Sequence, residues 1–295
     1  KVITLHNYRF MCLAGVPLRD GKSCSKCFEA RSMLDGIKLR CYRQSRLQSA
    51  WVALSISLTK FAMSLDARTI SFIALTKFQA QMLTEALRRS KCYIRANPLG
   101  RPNQFQKVEK HGSFALFVGR ISTEKGIHTL LEQHAALTNS QSPRDNDSTR
   151  LVVIGDGPGL IALKQKYKGN RYIDFLGSMK PSQVNEYMLK ARFIIVPSLW
   201  YEGYPLVIRE AISCGLPILT SNIGGLPEIV LGSGGLTFDI NRPEELKEIM
   251  FKMFADNEIV YKLKIEARSN YKNNLSDNAI MKKLYSIYES TVNYK

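Results

Sequence analysis

No stretch of eighteen or more apolar residues occurs in this chain, so no segment reads as a membrane span. The most apolar helix candidate, AWVALSISLTKFAMSL at 50–65, is short and carries Lys60, and it reads as a core helix. Cysteine is sparse, six in 295 residues, too few for a disulfide scaffold. Internal repeats and low-complexity tracts are missing as well. Acidic residues are scarce in one half only. Residues 1–113 carry 20 Lys/Arg against 6 Asp/Glu, and residues 114–295 carry 22 against 19. The formal charge of +17 is therefore split +14 to +3, and the basic half should prefer anionic partners such as nucleic acid, anionic lipid or phosphorylated substrates. No basic stripe interleaved with aromatics appears, which argues against nucleic acid. The chain opens at Lys1 on the apolar segment KVITLHNY, without a signal peptide, and reads as a mature fragment or a truncation with a cytoplasmic location.

What is present is ordinary globular composition, 45% hydrophobic and 23% charged, long enough for about two domains. From residue 114 apolar β-type runs alternate with amphipathic helical stretches. FALFVGR, RLVVIGDGPG, IDFLG, FIIVPS, PILTS and GGLTF read as strands, and the segments between them as helices. Such alternation implies a parallel sheet with helices on both faces, whose ligands sit at the carboxyl ends of the strands. Residues 1–98 hold the strand signals KVITLH and ISFIAL, a cysteine loop and a long helix, too few strands to close a Rossmann domain. Residues 99–113 read as linker, 114–276 as the second domain, and 277–295 as a C-terminal helix.

Two acids stand out in WYEGYPLVIREAISCGLPI. Pro205 suits the first helical position, which leaves Glu202 in the loop before the helix and Glu210 in its second turn. Helical side chains lean toward the N-terminus, so both carboxylates can approach a ligand seated there. Each can accept from two adjacent hydroxyls, the free N–H groups of the helix start suit phosphate, and Gly203 allows close backbone approach. A sugar joined through diphosphate to a nucleoside presents those groups in that order. Arg120 and Lys125 in VGRISTEKG flank a strand-to-helix turn where cations can neutralise a diphosphate, although Ser122 or Thr123 capping a helix explains the same turn. Cys12, Cys24, Cys27 and Cys41 could hold a structural zinc or stay reduced thiols on a loop. Cys92 and Cys214 look like core fillers. Asp145–Asn146–Asp147 lies in a polar loop and reads as solvated, and GDGPG lacks the spacing of a dinucleotide fingerprint.

GRISTEKG, LVVIGDGPG, DFLG and VPSLWYEGYPLVIREAISCGLPILTSNIGGLPEIV together resemble the donor half of glycosyltransferase family four, over residues 114 to about 290. TLHNYRFMCLAG, RDGKSCSKC, RCYRQSR and FIALTKFQAQML are similar to the acceptor domain of a bacterial branch of that family. The resemblance implies an α/β GT-B architecture of two Rossmann-like domains, the first incomplete here. It also implies a retaining enzyme that moves a hexose from a UDP- or GDP-sugar to a glycan or lipid-linked acceptor in polysaccharide or cell-envelope synthesis. On it, Glu202 holds the donor sugar, Gly203, Tyr204, Pro205 and Leu206 give the backbone around sugar and phosphate, and Glu210 binds ribose. Gly119, Arg120 and Lys125 meet the diphosphate, Met179 grips the base by its backbone, and His6 faces the reacting sugar. With fixed cations and a helix N-terminus at the leaving group, no metal or other cofactor is required for catalysis.

The chain departs from that pattern in two places. It begins after the strands and glycine-rich loop that open the acceptor domain, about a hundred residues in, so this piece alone is expected to bind donor nucleotide without transferring sugar. NPLG (97–100) replaces an Asn-Gly-Val-Asp turn. The basic clusters RCYRQSR and RRSK suit an anionic acceptor or an anionic membrane surface, and so a peripheral place at the inner face of a membrane. The competing reading is a degenerate transferase serving as a basic, zinc-stabilised binding module.

Overall fold

Strands buried on both faces read as near-continuous apolar runs, and three such runs, FALFV, LVVI and FIIV, build the centre of the larger sheet beside ILTS, whose Thr220 and Ser221 are buried as well. The computed structural model describes residues 1–65, 70–86, 90–99, 112–139 and 149–292. Most of the expected linker (100–111, with the last residue of NPLG), the Asp145–Asp147 stretch, and Arg88 and Arg89 lie outside the described residues. The chain divides into two units. One is Lys1–Pro98 with Trp200–Tyr204 and the residues from Asn278 on, and the other is Leu99–Leu199 with Pro205–Asp277.

In the first unit, strands β1 (Val2–Thr4), β4 (Ser71–Ala74) and β5 (Lys91–Ile94) form a parallel sheet in the order β1-β4-β5. Val2 lies opposite Ser71, and Ser71 opposite Lys91. Between β1 and β4 run a small hairpin, β2 (Leu18–Arg19) and β3 (Lys22–Ser23), two short helices, α1 (Lys26–Glu29) and α2 (Leu34–Lys38), and the long helix α3 (Arg46–Leu65). Helix α4 (Lys77–Ala86) connects β4 to β5. The core gathers Leu5, Tyr8, Met11, Ile70, Phe72, Ala74, Met82 and Leu83, with Cys92 packed at its margin. Helix α3 corrects the expectation of a core helix: Ser49, Ala53 and Ile56 are buried, but Leu47, Trp51, Leu54, Leu58, Phe61 and Leu65 are exposed.

The second unit holds β6 (Phe114–Val118), α5 (Ile127–Asn139), β7 (Arg150–Ile154), α6 (Leu160–Lys166), β8 (Ile173–Gly177), α7 (Pro181–Lys190), β9 (Phe193–Val196), α8 (Leu206–Cys214), β10 (Ile218–Ser221), α9 (Leu226–Val230), β11 (Gly235–Phe238), α10 (Pro243–Ala255) and α11 (Asn257–Asn270). All six strands are parallel, in the order β11-β10-β9-β6-β7-β8. Chain order therefore reverses between β6 and β9, and the carboxyl ends of those two strands flank the switch point where doubly wound sheets bind ligands. Phe193 and Phe254 meet edge-on, ring centroids 4.9 Å apart, inside a core that spans sheet, α5 and α10. Helix α12 (Asp277–Val292) closes the chain; from Asn278 it belongs to the first unit, where Ser290 Oγ lies 3.0 Å from Tyr93 Oη.

The loops after β6, β7 and β8 are stacked by backbone bonds. Gly155 N–H donates to the Gly177 carbonyl (2.8 Å) and Ile121 N–H to the Asp156 carbonyl (2.9 Å). Gly155 sits at φ +144°, and a Cβ there would lie 1.8 Å from the Gly119 carbonyl oxygen. The GDGPG turn thus serves loop packing, a role that needs no dinucleotide.

Candidate functional site

The loop after β6 carries Gly119, Arg120 and Lys125. A 3-10 turn, Thr123–Lys125, follows Ser122, whose hydroxyl donates to Glu124 Oε1 (2.6 Å) and does not cap the turn. Leu199 N–H donates to the Glu124 carbonyl (2.9 Å), tying the loops after β6 and β9 together at the switch point. Arg120 is exposed and Lys125 half-buried.

Pro205 stands one place earlier than expected, as the N-cap of α8 with φ −62° and ψ 120°. Proline fixes φ near that value in either position, and its extended ψ keeps it outside the helix. The first intrahelical bonds to its carbonyl come from Ile208 and Arg209 (3.1 and 3.4 Å), so the N–H groups of Leu206 and Val207 precede them. Gly215, left-handed at φ +66°, ends the helix.

Glu210 lies in the second turn of α8 and lines a cavity of about 510 Å³ with Leu99, Val118, Met179, Ser182, Asn185 and Met188. That volume suits a small-molecule site, and Val118 and Met179 place it at the carboxyl ends of β6 and β8. The Glu210 carboxylate is half-buried and makes no hydrogen bond or ion pair with the described residues. Burial pushes its pKa above the ordinary carboxylate range. Such a group costs stability until a ligand pairs with it.

One wall of this cavity rests on two residues that have no signature in the sequence. Arg209, wholly buried, pairs with Asp277 at 3.0 Å, and the same Asp277 Oδ1 accepts from the Leu99 N–H at 3.0 Å. Cys214, a buried filler as expected, donates its thiol to Asn185 Oδ1 (3.3 Å), linking α8 to α7.

In the first unit, the segment Trp200–Tyr204 packs on the strand-end residues that follow β1. Tyr8 Oη donates to the Glu202 carbonyl at 3.0 Å, and Trp200 Nε1 donates to Glu202 Oε1 at 3.1 Å. Glu202 is only 6% exposed. Tyr201 stacks tilted on Phe78, ring centroids 5.0 Å apart. A Cβ on Gly203 would lie 2.9 Å from the His6 carbonyl oxygen, so no larger residue fits without movement. His6, Glu202, Gly203 and Tyr204 therefore share the first unit, while Gly119, Arg120, Lys125, Met179, Pro205, Leu206 and Glu210 share the second. Arg120 and Lys125 are not among the described lining of the cavity, and neither are Pro205 and Leu206.

Cys12, Cys24, Cys27 and Cys41 are unoxidised and close enough to influence one another. Burial first, and neighbouring thiols after it, raise Cys12 and Cys41 and push Cys27 up to about 11. Cys12 donates to the Val16 carbonyl at 3.6 Å, and Cys27 Sγ lies against Gly36. Among the described residues no three His, Cys, Asp or Glu side chains are arranged to hold a metal ion.

The profile of the family described as Glycosyl transferases group 1 matches residues 101–274. The chain is 30% identical over 216 residues to the phosphatidylinositol N-acetylglucosaminyltransferase gpi3 subunit of Schizosaccharomyces pombe, covering 71% of this chain and 45% of that protein. It is 27% identical over 218 residues to the O-antigen chain mannosyltransferase B of Escherichia coli, covering 72% and 53%. It spans about half the length of such curated relatives. Among solved structures it superposes on Anabaena HepE in complex with UDP, with TM-score 0.67 and 16% identity, over 98% of this chain and 72% of that one. It also superposes on WaaG, a glycosyltransferase involved in lipopolysaccharide biosynthesis, with TM-score 0.64 and 19% identity, over 85% and 71%. These neighbours share the GT-B fold.

Proposed function

Because the chain belongs to the glycosyl transferases group 1 family, we propose that it is the donor-binding part of a retaining hexosyltransferase that uses a nucleoside diphosphate sugar. The observation that carries this reading is Glu210: a half-buried carboxylate, without a described partner, facing a cavity at the carboxyl ends of β6 and β8. Its two oxygens suit the adjacent hydroxyls of a ribose. Met179, in the same cavity, offers backbone to the base, and the first N–H groups of α8 together with Arg120 and Lys125 meet the diphosphate.

The chemistry follows from charge. Cleaving the anomeric bond leaves negative charge on the diphosphate and positive character on the sugar. Cations and a helix N-terminus fixed near the departing oxygens lower that barrier, and they need no metal for it. Glu202 holds sugar hydroxyls, oriented by Trp200 and Tyr8, and His6 faces the reacting sugar beside Gly203. The acceptor is a glycan or a lipid-linked sugar of polysaccharide or envelope synthesis, reached from the inner face of a membrane. Relatives with such roles and the basic first half support this assignment.

Calorimetric titration with UDP, GDP and ADP tests the donor site. Saturable binding of one nucleotide, lost in Glu210→Ala, is the expected result. A folded chain that binds none of the three refutes the reading.

A further inference from the structure

Helix α3 turns six large apolar side chains to solvent: Leu47 (78% exposed), Trp51 (72%), Leu54 (50%), Leu58 (58%), Phe61 (63%) and Leu65 (75%). Their spacing of four and three residues in alternation sets them in one line along the helix, opposite the face that buries Ser49, Ala53 and Ile56. A single exposed leucine carries no meaning, but a line of six does. The stripe exposes roughly 700 Å² of apolar surface, beyond the ~300–600 Å² of the largest patch on a typical monomer.

Charge decides what covers it. Residues 38–65 contain Lys38, Arg40, Arg43, Arg46 and Lys60 and not one Asp or Glu. Arg40, Arg43 and Arg46 are exposed at the N-terminal end of the stripe. A second copy would set two such basic bodies against each other. The positions flanking the seam, Gln48, Ala50, Ser55 and Ser57, carry no charges to offset that repulsion, as paired helices usually do. An anionic lipid surface satisfies both features, because leucines and a phenylalanine enter the acyl boundary while tryptophan and arginine stay at headgroup level.

We propose that α3, with Arg40, Arg43 and Arg46, is a docking surface for a bilayer containing anionic lipid. The helix lies in the plane of the interface; among the described residues no helix is long and apolar enough to cross a membrane. This deepens the reading of a membrane-presented acceptor, yet vesicle binding is measured without donor or acceptor. Its failure would leave nucleotide binding by the second unit untouched, and the converse holds.

The test is flotation of the intact chain with vesicles of phosphatidylcholine alone and of phosphatidylcholine and phosphatidylglycerol in equal parts, together with Trp51 emission. Capture by the phosphatidylglycerol vesicles is expected, weakening as salt rises, with a blue shift that Trp51→Phe removes. Replacing Arg40, Arg43 and Arg46 by Gln should weaken capture on the order of a hundredfold, at about 1 kcal/mol for each arginine near the surface. The double variant Leu54→Gln/Leu58→Gln exchanges exposed side chains, so it should melt with the wild type and lose capture. Failure of the wild type to float with anionic vesicles overturns the proposal, and so does undiminished flotation of the double variant. Light scattering that finds a dimer, made monomeric by Leu54→Gln/Leu58→Gln, assigns the stripe to a second copy and overturns it as well.

Discussion

Replacing Glu210 by glutamine should stabilise the protein and weaken nucleotide binding at once. The side chain keeps its shape and one acceptor oxygen but loses its charge. In the folded chain burial raises the Glu210 pKa, so between the ordinary carboxylate range and that raised value the folded state binds the proton that the unfolded state has released. Stability therefore falls as pH rises through this window, and above it the whole cost of the buried charge remains. Glutamine never carries the cost. Near neutral pH the variant should melt above the wild type, and the gap should close as pH falls through the carboxylate range. Binding runs the other way. Hydrogen bonds to a charged group contribute about 1.5–3 kcal/mol, against about 1 for neutral ones. Losing that excess weakens the nucleotide that the wild type binds by about tenfold, and Glu210→Ala should cost more. Scanning calorimetry across pH and isothermal titration at neutral pH measure the two effects. A variant that melts lower near neutral pH, or that binds nucleotide as tightly as the wild type, refutes the assignment of Glu210 as a carboxylate reserved for ligand.

Asp277→Ala leaves the buried Arg209 guanidinium without its carboxylate and frees the Leu99 N–H, and should cost about 3 kcal/mol, read as a lowered urea midpoint. Arg209→Met, which replaces the charge with an apolar chain, should cost clearly less. His134 is buried, with Nε2 donating to the Thr149 carbonyl at 2.7 Å, and burial lowers its pKa to about 4. The neutral ring is favoured by folding, so stability should drop by about 3 kcal/mol as pH falls from the usual histidine value to that of the folded chain. His134→Gln should flatten that slope in denaturation measured across pH. Trp200→Phe removes the indole donor to Glu202 and should weaken a nucleotide sugar more than the bare nucleotide; equal weakening of both would detach Glu202 from the sugar.

The second unit was legible because its signals are local. Parallel strands buried on both faces announce themselves as apolar runs, and Gly215 closes α8 through a left-handed turn that the position before Leu216 called for. The placement of Glu210 in the second turn followed from helix geometry alone. The cavity around it did not, since its walls come from Leu99, the end of β6 and one side of α7, ordinary residues with no shared pattern. The Arg209–Asp277 pair spans 68 residues and is equally silent. Strand β5 carries no strand signal of its own, because KCYI opens on a lysine and ends after four residues. Helix α3 misled for a different reason. It is apolar on two faces, and sequence shows how apolar a helix is but not which of its faces finds a partner.

The two glutamates that frame WYEGYPLVIRE illustrate what environment adds to residue type. Both are carboxylates eight positions apart, and from composition they are interchangeable. Glu202 is 6% exposed yet already engaged: the Trp200 indole fixes one oxygen, and Tyr8 holds the backbone behind it. Its direction is set before any ligand arrives, which suits a group that must meet particular hydroxyls of a sugar in a defined pose. Glu210 is more accessible and carries its charge at a cost, with no described group to offset it. A carboxylate of that kind gains most from a ligand that brings two hydroxyl donors, so binding energy is concentrated there. The division predicts where specificity and affinity separate. Changes around Glu202 should alter which sugar is accepted, and changes at Glu210 should alter whether any nucleotide is held at all.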